Sequence, residues 1–323
     1  MRIPTLDDVY RARQVIAPYL RPTPLVRSDA LSELLGCQAY LKCENVQPIG
    51  VFKVRGGINL VSSLSDEERR RGVITASTGN HGQSIAYAAR LFGVPAVIAA
   101  PKNCNPGKRR AMERLGARVT LVGKDFDESR LWAEEEAARQ GYRDVHAANE
   151  PLLIAGVGTM SLEIMEELPE VDVIINPLGG GSGCSSHCIV AKGIKPDVEV
   201  VGVQAERAPA VYLSWKAGEL RETESSDTFA EGLATRVAFA LPFSIIKDRI
   251  DDIMLVSEEE LRQAIVTLLD KAHMLAEPAG AASLAAALKA KGRLRGKRVV
   301  LVLTGANITV EQLRAVLGQP NQR

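Results

Sequence analysis

Lys53 is the residue of this sequence best placed to act as a nucleophile. It stands between a turn rich in glycine and proline, ending at Gly50, and a predicted helix that begins near Arg55. A lysine amine captures carbonyl carbons once desolvation or a neighbouring cation lowers its pKa, and Phe52 and Arg55 could supply both effects. A Phe-Lys-Val-Arg run also begins ordinary surface helices, so the segment alone leaves both interpretations open.

A second segment, the asparagine loop from Ser77 to His81, follows a predicted strand and opens a predicted helix. Backbone N–H groups and the helix dipole at such a position attract anions, and a carboxylate would fit there. Serine, threonine and asparagine are also favoured helix caps whatever the function. The loop is therefore either an anion site or a simple helix start.

A third segment, the glycine loop from Asn176 to Gly183, joins a predicted strand to the helical pattern that begins at Cys184. Main-chain donors of such a loop can surround a phosphate group. The loop could equally approach a nucleotide pyrophosphate, but its spacing is not G-x-G-x-x-G and no acidic residue follows a further strand at the usual distance. The pattern therefore disfavours NAD.

Two further polar residues stand at the ends of predicted elements. Thr304 follows the final predicted strand, where its hydroxyl could meet a ring nitrogen or simply end the strand in a turn. Glu277 begins a predicted helix, and its carboxylate is expected first as a partner of the helix dipole.

The elements that position these residues alternate along the chain. Runs rich in valine and isoleucine predict strands buried on both faces, at Val73–Ala76, Ala96–Ala100, Arg118–Val122, Val171–Asn176, Val198–Gln204, Asp252–Val256 and Arg298–Leu303. Helix-period segments lie between them, for example Ser84–Leu91, Glu128–Ala138, Glu259–Lys271 and Pro278–Leu288. The alternation predicts an α/β architecture of parallel sheets covered by helices, with the chemistry in loops at strand ends.

The length of 323 residues predicts two domains. No long linker or low-complexity segment separates two halves, so one domain is expected to interrupt the other. We place the large domain at residues 1–52 and 149–323, with a small domain, residues 53–148, inserted in it.

Composition excludes several classes of protein. Lys+Arg 40 nearly balances Asp+Glu 39, and the longest basic stretches are triplets, so nucleic acid is not expected as a partner. No apolar run approaches the roughly 20 residues of a membrane-spanning helix, which excludes a membrane protein. Five cysteines, an odd number, and no apolar leader predict a cytoplasmic protein without disulfides.

Together and in this order, the segments resemble the fold-type II pyridoxal-phosphate enzymes, most closely the threonine/serine dehydratase and serine racemase branch. The similarity extends from about Pro22 to Asn307. The family's lysine motif, Gly-Ser-Phe-Lys-x-Arg-Gly-Ala, stands here as Gly50 to Gly57, and its Ser-x-Gly-Asn-His motif as the asparagine loop. The resemblance implies a two-lobed, three-layer αβα fold, similar to that of the tryptophan synthase beta subunit, with mostly parallel sheets and the cofactor in the large domain.

The resemblance also implies a role for each motif residue. Lys53 would hold pyridoxal phosphate as a Schiff base and then remove the substrate Cα proton. Asn80 would donate to the cofactor's phenolic oxygen, and Thr304 would meet its pyridine nitrogen. Other cofactor contacts would come from Phe52, Gly179, Gly180, Gly181, Ser182, Gly183 and Glu277. The substrate carboxylate would be held by Ser77, Thr78, Gly79, Asn80 and His81.

The implied reaction is dehydration of a small 3-hydroxy amino acid. A hydroxyl at the pyridine nitrogen, unlike a carboxylate, does not force that nitrogen to stay protonated, and rapid loss of the substrate hydroxyl by β-elimination then makes sense. Serine would give pyruvate and threonine 2-oxobutanoate, each with ammonia. The family further implies a homodimer.

Departures from the family pattern keep two alternatives open. Racemases of this branch carry a second serine in the asparagine loop as a base on the opposite face, and Thr78 stands there as a candidate catalytic residue whose extra methyl restricts its rotamers. Departures also occur at Val51, Gly57, Ala148 and Val157. We therefore keep open a larger or less polar 3-hydroxy amino acid, such as a hydroxyectoine-pathway intermediate, as the substrate.

No metal site is expected. Gln204 and Ala210 occupy the two carboxylate positions of the racemase branch's cation site, so we expect that site to be absent. Cys184, His187 and Cys188 have a metal-like spacing, but a zinc site usually needs four ligands, and core packing is the preferred interpretation. The chain ends soon after Thr304, and no C-terminal regulatory domain is expected.

Overall fold

The structure, a computed structural model, describes residues 2–318. The strands are β1 (Leu25–Arg27), β2 (Gln38–Cys43), β3 (Val73–Ala76), β4 (Ala96–Ala100), β5 (Arg118–Leu121), β6 (Arg143–Asp144), β7 (Val173–Pro177), β8 (Glu199–Ala205), β9 (Asp252–Val256) and β10 (Arg298–Leu303). The helices before β7 are α1 (Leu6–Ile16), α2 (Asp29–Leu35), α3 (Val54–Ser62), α4 (Asp66–Arg71), α5 (Asn80–Phe92), α6 (Pro106–Arg114), α7 (Phe126–Gln140) and α8 (Pro151–Glu167). Those after it are α9 (Ser182–Ile194), α10 (Ala210–Ala217), α11 (Ala240–Ile246), α12 (Glu258–Thr267), α13 (Pro278–Lys289), α14 (Lys291–Leu294) and α15 (Val310–Leu317). The alternating α/β class expected from the sequence is confirmed.

The chain forms two compact units, each made of two segments. The smaller unit contains Met1–Arg21 and Lys53–Thr159, and the larger one contains Pro22–Phe52 and Met160–Arg323. These bounds differ from the predicted 53–148 because α1 and the first half of α8 group with the smaller unit. The apolar face of α1 explains this grouping, because buried Val9 packs closely against Gly158 of α8. A Cβ added to Gly158 would lie 2.8 Å from a methyl carbon of Val9.

The sheet of the smaller unit has four parallel strands in the order β5-β4-β3-β6. Every residue of β3 and β4 is buried, as expected for central strands covered by helices on both faces. The prediction of full burial is wrong for β5, where Arg118 is exposed and the next three residues are half-buried. This strand lies at the edge of the sheet and pairs with β4 alone.

The sheet of the larger unit has six strands in the order β1-β2-β10-β7-β8-β9. Only β1 is antiparallel, and the other pairs are parallel, with Val300 opposite Tyr40 and Val299 opposite Val173. Its interior is a cluster of valine, leucine and alanine side chains from these strands and from α12 and α13. Parallel strands end at the same edge of a sheet, so the loops after β7 and β10 emerge on one side.

One fully buried ion pair also belongs to the larger unit. Lys42 of β2 has no exposed surface, and its Nζ lies 2.6 Å from a carboxylate oxygen of Glu163 in α8. The same Nζ donates to the carbonyl of Thr23 at 2.6 Å, and the Thr23 hydroxyl donates to Glu44 at 2.6 Å. These charge-assisted bonds fix the chain just before the lysine motif.

From residue 2 to residue 318, no helix is both long enough and apolar enough to cross a bilayer.

Candidate active site

Lys53 is half-buried and immediately precedes α3, the first helix of the smaller unit after α1. Its main-chain carbonyl accepts two hydrogen bonds. The Gly57 N–H donates at 3.2 Å, as in any helix start, and the Ser84 hydroxyl of α5 donates at 2.5 Å. The backbone of the candidate nucleophile is thereby attached to a second helix. No sequence pattern pointed to Ser84, because the bond joins residues far apart in the chain.

The first turn of α3 has close helix neighbours. A Cβ added to Gly57 would lie 2.6 Å from the Ser84 carbonyl oxygen, and one added to Gly56 would lie 2.9 Å from the Leu153 carbonyl oxygen. Both distances are too short for a real side chain. Arg55 is 1% exposed in the same turn, and its Nη1 donates to the Thr159 hydroxyl at 3.0 Å. These contacts hold the lysine backbone rigidly.

The asparagine loop forms the start of α5 in the same unit. The Ser77 hydroxyl oxygen accepts the N–H groups of Gly79 at 3.1 Å and Gly82 at 2.8 Å, so this side chain builds the turn. In the described part of the chain, the N–H groups of Thr78 and His81 donate to no main-chain or side-chain acceptor. Gly79, the N-cap residue of α5, has no side chain to cap the helix, and Ser77 satisfies the Gly82 N–H, so the N–H groups of Thr78 and His81 can bind an anion.

His81 is held in one tautomer inside the smaller unit. The Thr75 hydroxyl donates to the Val145 carbonyl at 2.6 Å, so its oxygen is left to accept a hydrogen from His81 Nε2 at 2.9 Å. Burial, followed by the charge of Lys53, lowers the pKa of His81 to about 3. A neutral His81 therefore lies near Lys53, and its ring is occupied by Thr75 instead of pointing at a ligand.

The segment before the lysine is attached to the end of β10 in the larger unit. The Phe52 N–H donates to the Thr304 carbonyl at 3.0 Å, and Val51 and Gly305 form an isolated antiparallel bridge. The Ala306 N–H donates to the Gly50 carbonyl at 2.9 Å. Thr304 is 3% exposed, so its hydroxyl lies inside the protein at the carboxyl edge of the sheet.

The glycine loop connects β7 to α9. Gly179 and Gly180 are half-buried, and Gly181 to Gly183 are buried. Gly181 has φ +96°, a conformation that only glycine adopts without strain, and it precedes α9 without any side-chain cap. The first-turn N–H groups of α9, a 13-residue helix, are thus left for another acceptor. A phosphate group fits this arrangement.

Glu277 directly precedes α13 at the same end of the larger unit. Its side chain makes no capping hydrogen bond to α13, so the dipole interaction expected from the sequence would act through the carboxylate charge alone. The Glu277 N–H donates to the Gly305 carbonyl at 2.9 Å. A Cβ added to Gly305 would lie 2.8 Å from Oε1 of Glu277, and a Cβ added to Gly232 would lie 3.9 Å from it. The carboxylate therefore occupies space that two glycines leave.

The two units divide the expected site residues between them. The smaller unit contains Lys53 and the asparagine loop, and the larger unit contains Phe52, the glycine loop, Glu277 and Thr304. An amine, two helix starts with main-chain N–H groups left for an anion, and a buried hydroxyl at a strand end match the needs of a cofactor that carries a phosphate and a carbonyl group.

Comparison with known proteins decides the family. The model of the family described as "Pyridoxal-phosphate dependent enzyme" matches residues 16–305. The chain belongs to this family. Pyridoxal phosphate is accordingly its cofactor, as the resemblance implied.

Characterised relatives match this pyridoxal-phosphate enzyme over most of its length. It is 40% identical to an L-threonine ammonia-lyase of Thermotoga maritima, over 98% of this chain and 78% of the relative. It is 36% identical to a catabolic L-threonine dehydratase of Staphylococcus aureus strain N315, over 98% of this chain and 92% of the relative.

Solved structures share the fold of this pyridoxal-phosphate enzyme. The processed form of threonine deaminase isoform 2 from Solanum lycopersicum superimposes with a TM-score of 0.90 at 31% identity, covering 98% of this chain and 95% of its own. Maize serine racemase gives a TM-score of 0.92 at 29% identity, with 98% of each chain covered.

Two departures from the family's lysine motif have packing explanations. Val51 is fully buried in the bridge with Gly305, and a Cβ on Gly305 would lie 3.1 Å from its side chain. Gly57 faces Ser84, as described above. Ala148 and Val157 are each 2% exposed, and the structure gives no further account of them.

The residues considered for metal binding have other surroundings. Gln204 accepts the Tyr212 N–H at 2.7 Å, and Ala210 begins α10. Cys184 is buried, and burial raises the pKa of its thiol to about 12. Among the described residues, no group of three or more His, Cys, Asp or Glu side chains could hold a metal ion.

Proposed function

We propose that this enzyme is a dehydratase, or ammonia-lyase, that converts a 3-hydroxy amino acid such as L-threonine or L-serine to a 2-oxo acid and ammonia by β-elimination. The relatives from Thermotoga maritima and Staphylococcus aureus, an L-threonine ammonia-lyase and an L-threonine dehydratase, support this reaction. The observation that carries the proposal is the position of Lys53, half-buried at the start of α3 and near a histidine that burial keeps neutral.

Lys53 would hold the cofactor through its amine and would later take the substrate Cα proton. Bound pyridoxal phosphate supplies an electron sink for the electrons of the breaking Cα–H bond. To act as a base, the Lys53 amine must be neutral when substrate is in place. The neutral ring of His81 adds no second charge next to the amine. The rigid first turn of α3 fixes the Cα from which the amine extends.

The asparagine loop orients the substrate through its carboxylate. The N–H groups of Thr78 and His81 are the available main-chain donors, and the exposed Thr78 hydroxyl adds a side-chain donor. Ser77 and Gly79 contribute by shaping the turn, since the Ser77 hydroxyl accepts the Gly79 N–H. Asn80 donates to the cofactor's phenolic oxygen. A carboxylate fixed in this loop directs the Cα–H bond towards the lysine.

The larger unit holds the rest of the cofactor. Main-chain N–H groups from Gly179, Gly180, Gly181, Ser182 and Gly183 would hold the phosphate, since Gly181 precedes α9 without a side-chain cap. Thr304 would meet the pyridine nitrogen and Phe52 would contact the ring, while Glu277 lies beside Gly305. A hydroxyl at the ring nitrogen favours short-lived carbanions and therefore elimination.

Racemisation is the second candidate function, favoured by one specific observation. Thr78 is exposed on the asparagine loop and carries the hydroxyl that a base on the opposite face requires. Maize serine racemase shares the fold. The β-branched side chain restricts the hydroxyl to fewer rotamers than serine allows, which places racemisation second.

The substrate could also be a larger 3-hydroxy amino acid, including a hydroxyectoine-pathway intermediate. Ala148 and Val157 are the two departures that packing does not explain, and they carry this alternative.

We further infer that the protein is cytoplasmic and forms homodimers. All five cysteines are free thiols, which suits a reducing compartment. The homodimer is an inference from the family.

The test compares the wild type with Lys53→Ala and with Lys216→Ala, an exposed lysine of α10 as the matched control. Each protein is reconstituted with pyridoxal phosphate, and its visible absorbance is recorded. Serine, threonine and bulkier 3-hydroxy amino acids are then added while 2-oxo acid and chiral inversion are measured. We expect the visible band and keto-acid formation in the wild type and Lys216→Ala but not in Lys53→Ala.

Each other result has a defined meaning. Chiral inversion that outpaces keto-acid formation would favour the racemase. The fastest turnover with a bulky substrate would favour the larger amino acid. A wild type that binds the cofactor but changes no amino acid would contradict both enzymatic proposals.

A further inference from the structure

The bond from Ser84 to Lys53 joins two helices that carry candidate site residues. Ser84 is 1% exposed, and its hydroxyl donates to the Lys53 carbonyl at 2.5 Å. In α5, Ser84 comes one turn after Asn80, the first residue of that helix, and residues four apart share one face. The residue that holds the lysine backbone is therefore a same-face neighbour of the asparagine.

The Lys53 carbonyl does not need the hydrogen bond from Ser84 in order to have a partner. The Lys53 carbonyl already accepts the Gly57 N–H at 3.2 Å, which completes the first turn of α3. A serine inside a helix ordinarily donates to the carbonyl four residues before it. Ser84 instead donates to a different helix, so the bond fixes the distance between α5 and the start of α3.

Gly57 makes this short distance possible. A Cβ on Gly57 would overlap the Ser84 hydroxyl and would lie 2.6 Å from the Ser84 carbonyl oxygen. Any side chain at position 57 would push α5 away and lengthen the bond to Lys53. The family motif has alanine at this position, so the glycine and the serine act here as a pair.

We propose that Ser84 is a positioning residue for Lys53, setting the place of the lysine Cα relative to Asn80. This inference rests on the proposed function, in which both residues contact the cofactor. Four flexible methylene groups join the lysine Cα to its amine, so the side chain itself does not fix where the amine lies. The position of the Cα then sets the volume that the amine can reach. Displacements of about 1 Å in such positions reduce rates by about a hundredfold.

The experiment compares Ser84→Ala with Ser129→Ala in the full-length protein. Ser129 is the control because it is fully buried in the same unit and its hydroxyl also bonds main-chain carbonyls, those of Val122 at 2.7 Å and Asp125 at 2.9 Å, away from the candidate site residues. Three quantities are measured: the rate constant for loading with pyridoxal phosphate, kcat and KM for elimination, and hydrogen exchange of the Gly57 amide without cofactor.

We expect Ser84→Ala to lose about tenfold in loading rate and in kcat, with KM changed by less than about twofold. Its Gly57 amide should exchange faster, since the carbonyl that it binds is less well fixed. Ser129→Ala should match the wild type in all three quantities, although both variants melt at lower temperature. If Ser84→Ala and Ser129→Ala have the same rate of cofactor loading, the same kcat and the same exchange rate of the Gly57 amide, the positioning role of Ser84 is overturned.

A second variant keeps the inference testable if Ser84→Ala does not fold. Cysteine has a similar volume and a weaker hydrogen-bond donor than serine. We therefore expect Ser84→Cys to bind pyridoxal phosphate at a rate between those of the wild type and Ser84→Ala. A rate equal to that of the wild type would overturn the positioning role of Ser84. A wild type that loads but eliminates no hydroxy amino acid contradicts the proposed function alone, because loading and amide exchange still decide the role of Ser84.

Discussion

Thr75 and His81 are joined by a hydrogen bond of 2.9 Å whose direction is determined by a third group. Because the Thr75 hydroxyl gives its hydrogen to the Val145 carbonyl, His81 must be the donor through Nε2. The neutral imidazole thus fastens the start of α5 to the end of β3. The bond lies directly beneath the loop assigned to the substrate carboxylate.

Thr75→Val should weaken this attachment. Valine has a similar shape but removes the acceptor at 2.9 Å and leaves the His81 N–H the more distant Val145 carbonyl at 3.4 Å, at an expected loss of about 1 kcal/mol in the free energy of unfolding. The cofactor-loading rate should fall as well, because the asparagine loop loses its support. Urea unfolding and loading kinetics measure both. Thr120→Val, in edge strand β5 of the same sheet, is the control and should change neither.

Stability should fall as the solution is acidified from about pH 6.5 towards pH 3. Burial lowers the pKa of both His81 and His187 from 6.5 to about 3. Between these values the unfolded chain binds a proton at each site and the folded chain does not, so folding is favoured at the higher pH. Each histidine contributes up to about 1.4 kcal/mol per pH unit.

The variant His187→Asn isolates one of these contributions. Its urea midpoint should depend less steeply on pH than that of the wild type between about pH 7 and pH 5. His273→Asn changes an exposed histidine and should keep the wild-type slope. Equal slopes in all three proteins would show that His187 is not buried in the neutral form.

Lys42→Met should destabilise the larger unit strongly. The substitution leaves the buried Glu163 carboxylate without the ammonium at 2.6 Å, and breaking such pairs costs about 3–5 kcal/mol. Replacing both partners, as Lys42→Met with Glu163→Leu, should recover much of the loss. Lys124→Met breaks an exposed pair with Glu128 and should leave the urea midpoint nearly unchanged.

Gly181→Ala should damage both folding and cofactor binding. The alanine would have to adopt φ +96°, and its Cβ would lie 2.6 Å from the Pro242 side chain. Gly218→Ala is the control, because Gly218 has φ +73° with no atom within 4 Å, so it carries backbone strain of about 1–2 kcal/mol alone. A larger drop in melting temperature and at least about tenfold weaker cofactor binding are expected for Gly181→Ala. Equal behaviour of the two variants would contradict a specific role for the glycine loop.

The central strands could be predicted from sequence because burial on both faces leaves continuous apolar runs. The bounds of the central strands β3, β4 and β10 agree with those predicted, and so do those of edge strand β9, although three of its five residues are half-buried instead of buried. Strand β2 was missed because Lys42 interrupts its apolar pattern, and only the tertiary partner Glu163 makes that lysine an interior residue. The helix predicted to reach Lys271 ends at Thr267 and continues as a π-helical turn, which side-chain periodicity does not reveal.

The motif residues assigned to the site come from the sequence and stay a prediction, whereas their surroundings could not be predicted at all. His81 was expected to face the substrate carboxylate, whereas its ring is bound to Thr75 and its main chain offers the available donor. Ser84 has no motif of its own, since its importance depends on Gly57 and Lys53, which approach it only in the folded chain. A single sequence does not contain that distance.

The contact between Gly57 and Ser84 couples the side chains that the two positions tolerate. At this helix spacing an alanine methyl at position 57, the residue of the family motif, would meet the Ser84 hydroxyl. Gly57→Ala alone is then a deleterious change, and the same substitution should be better tolerated in a chain without a side chain at position 84.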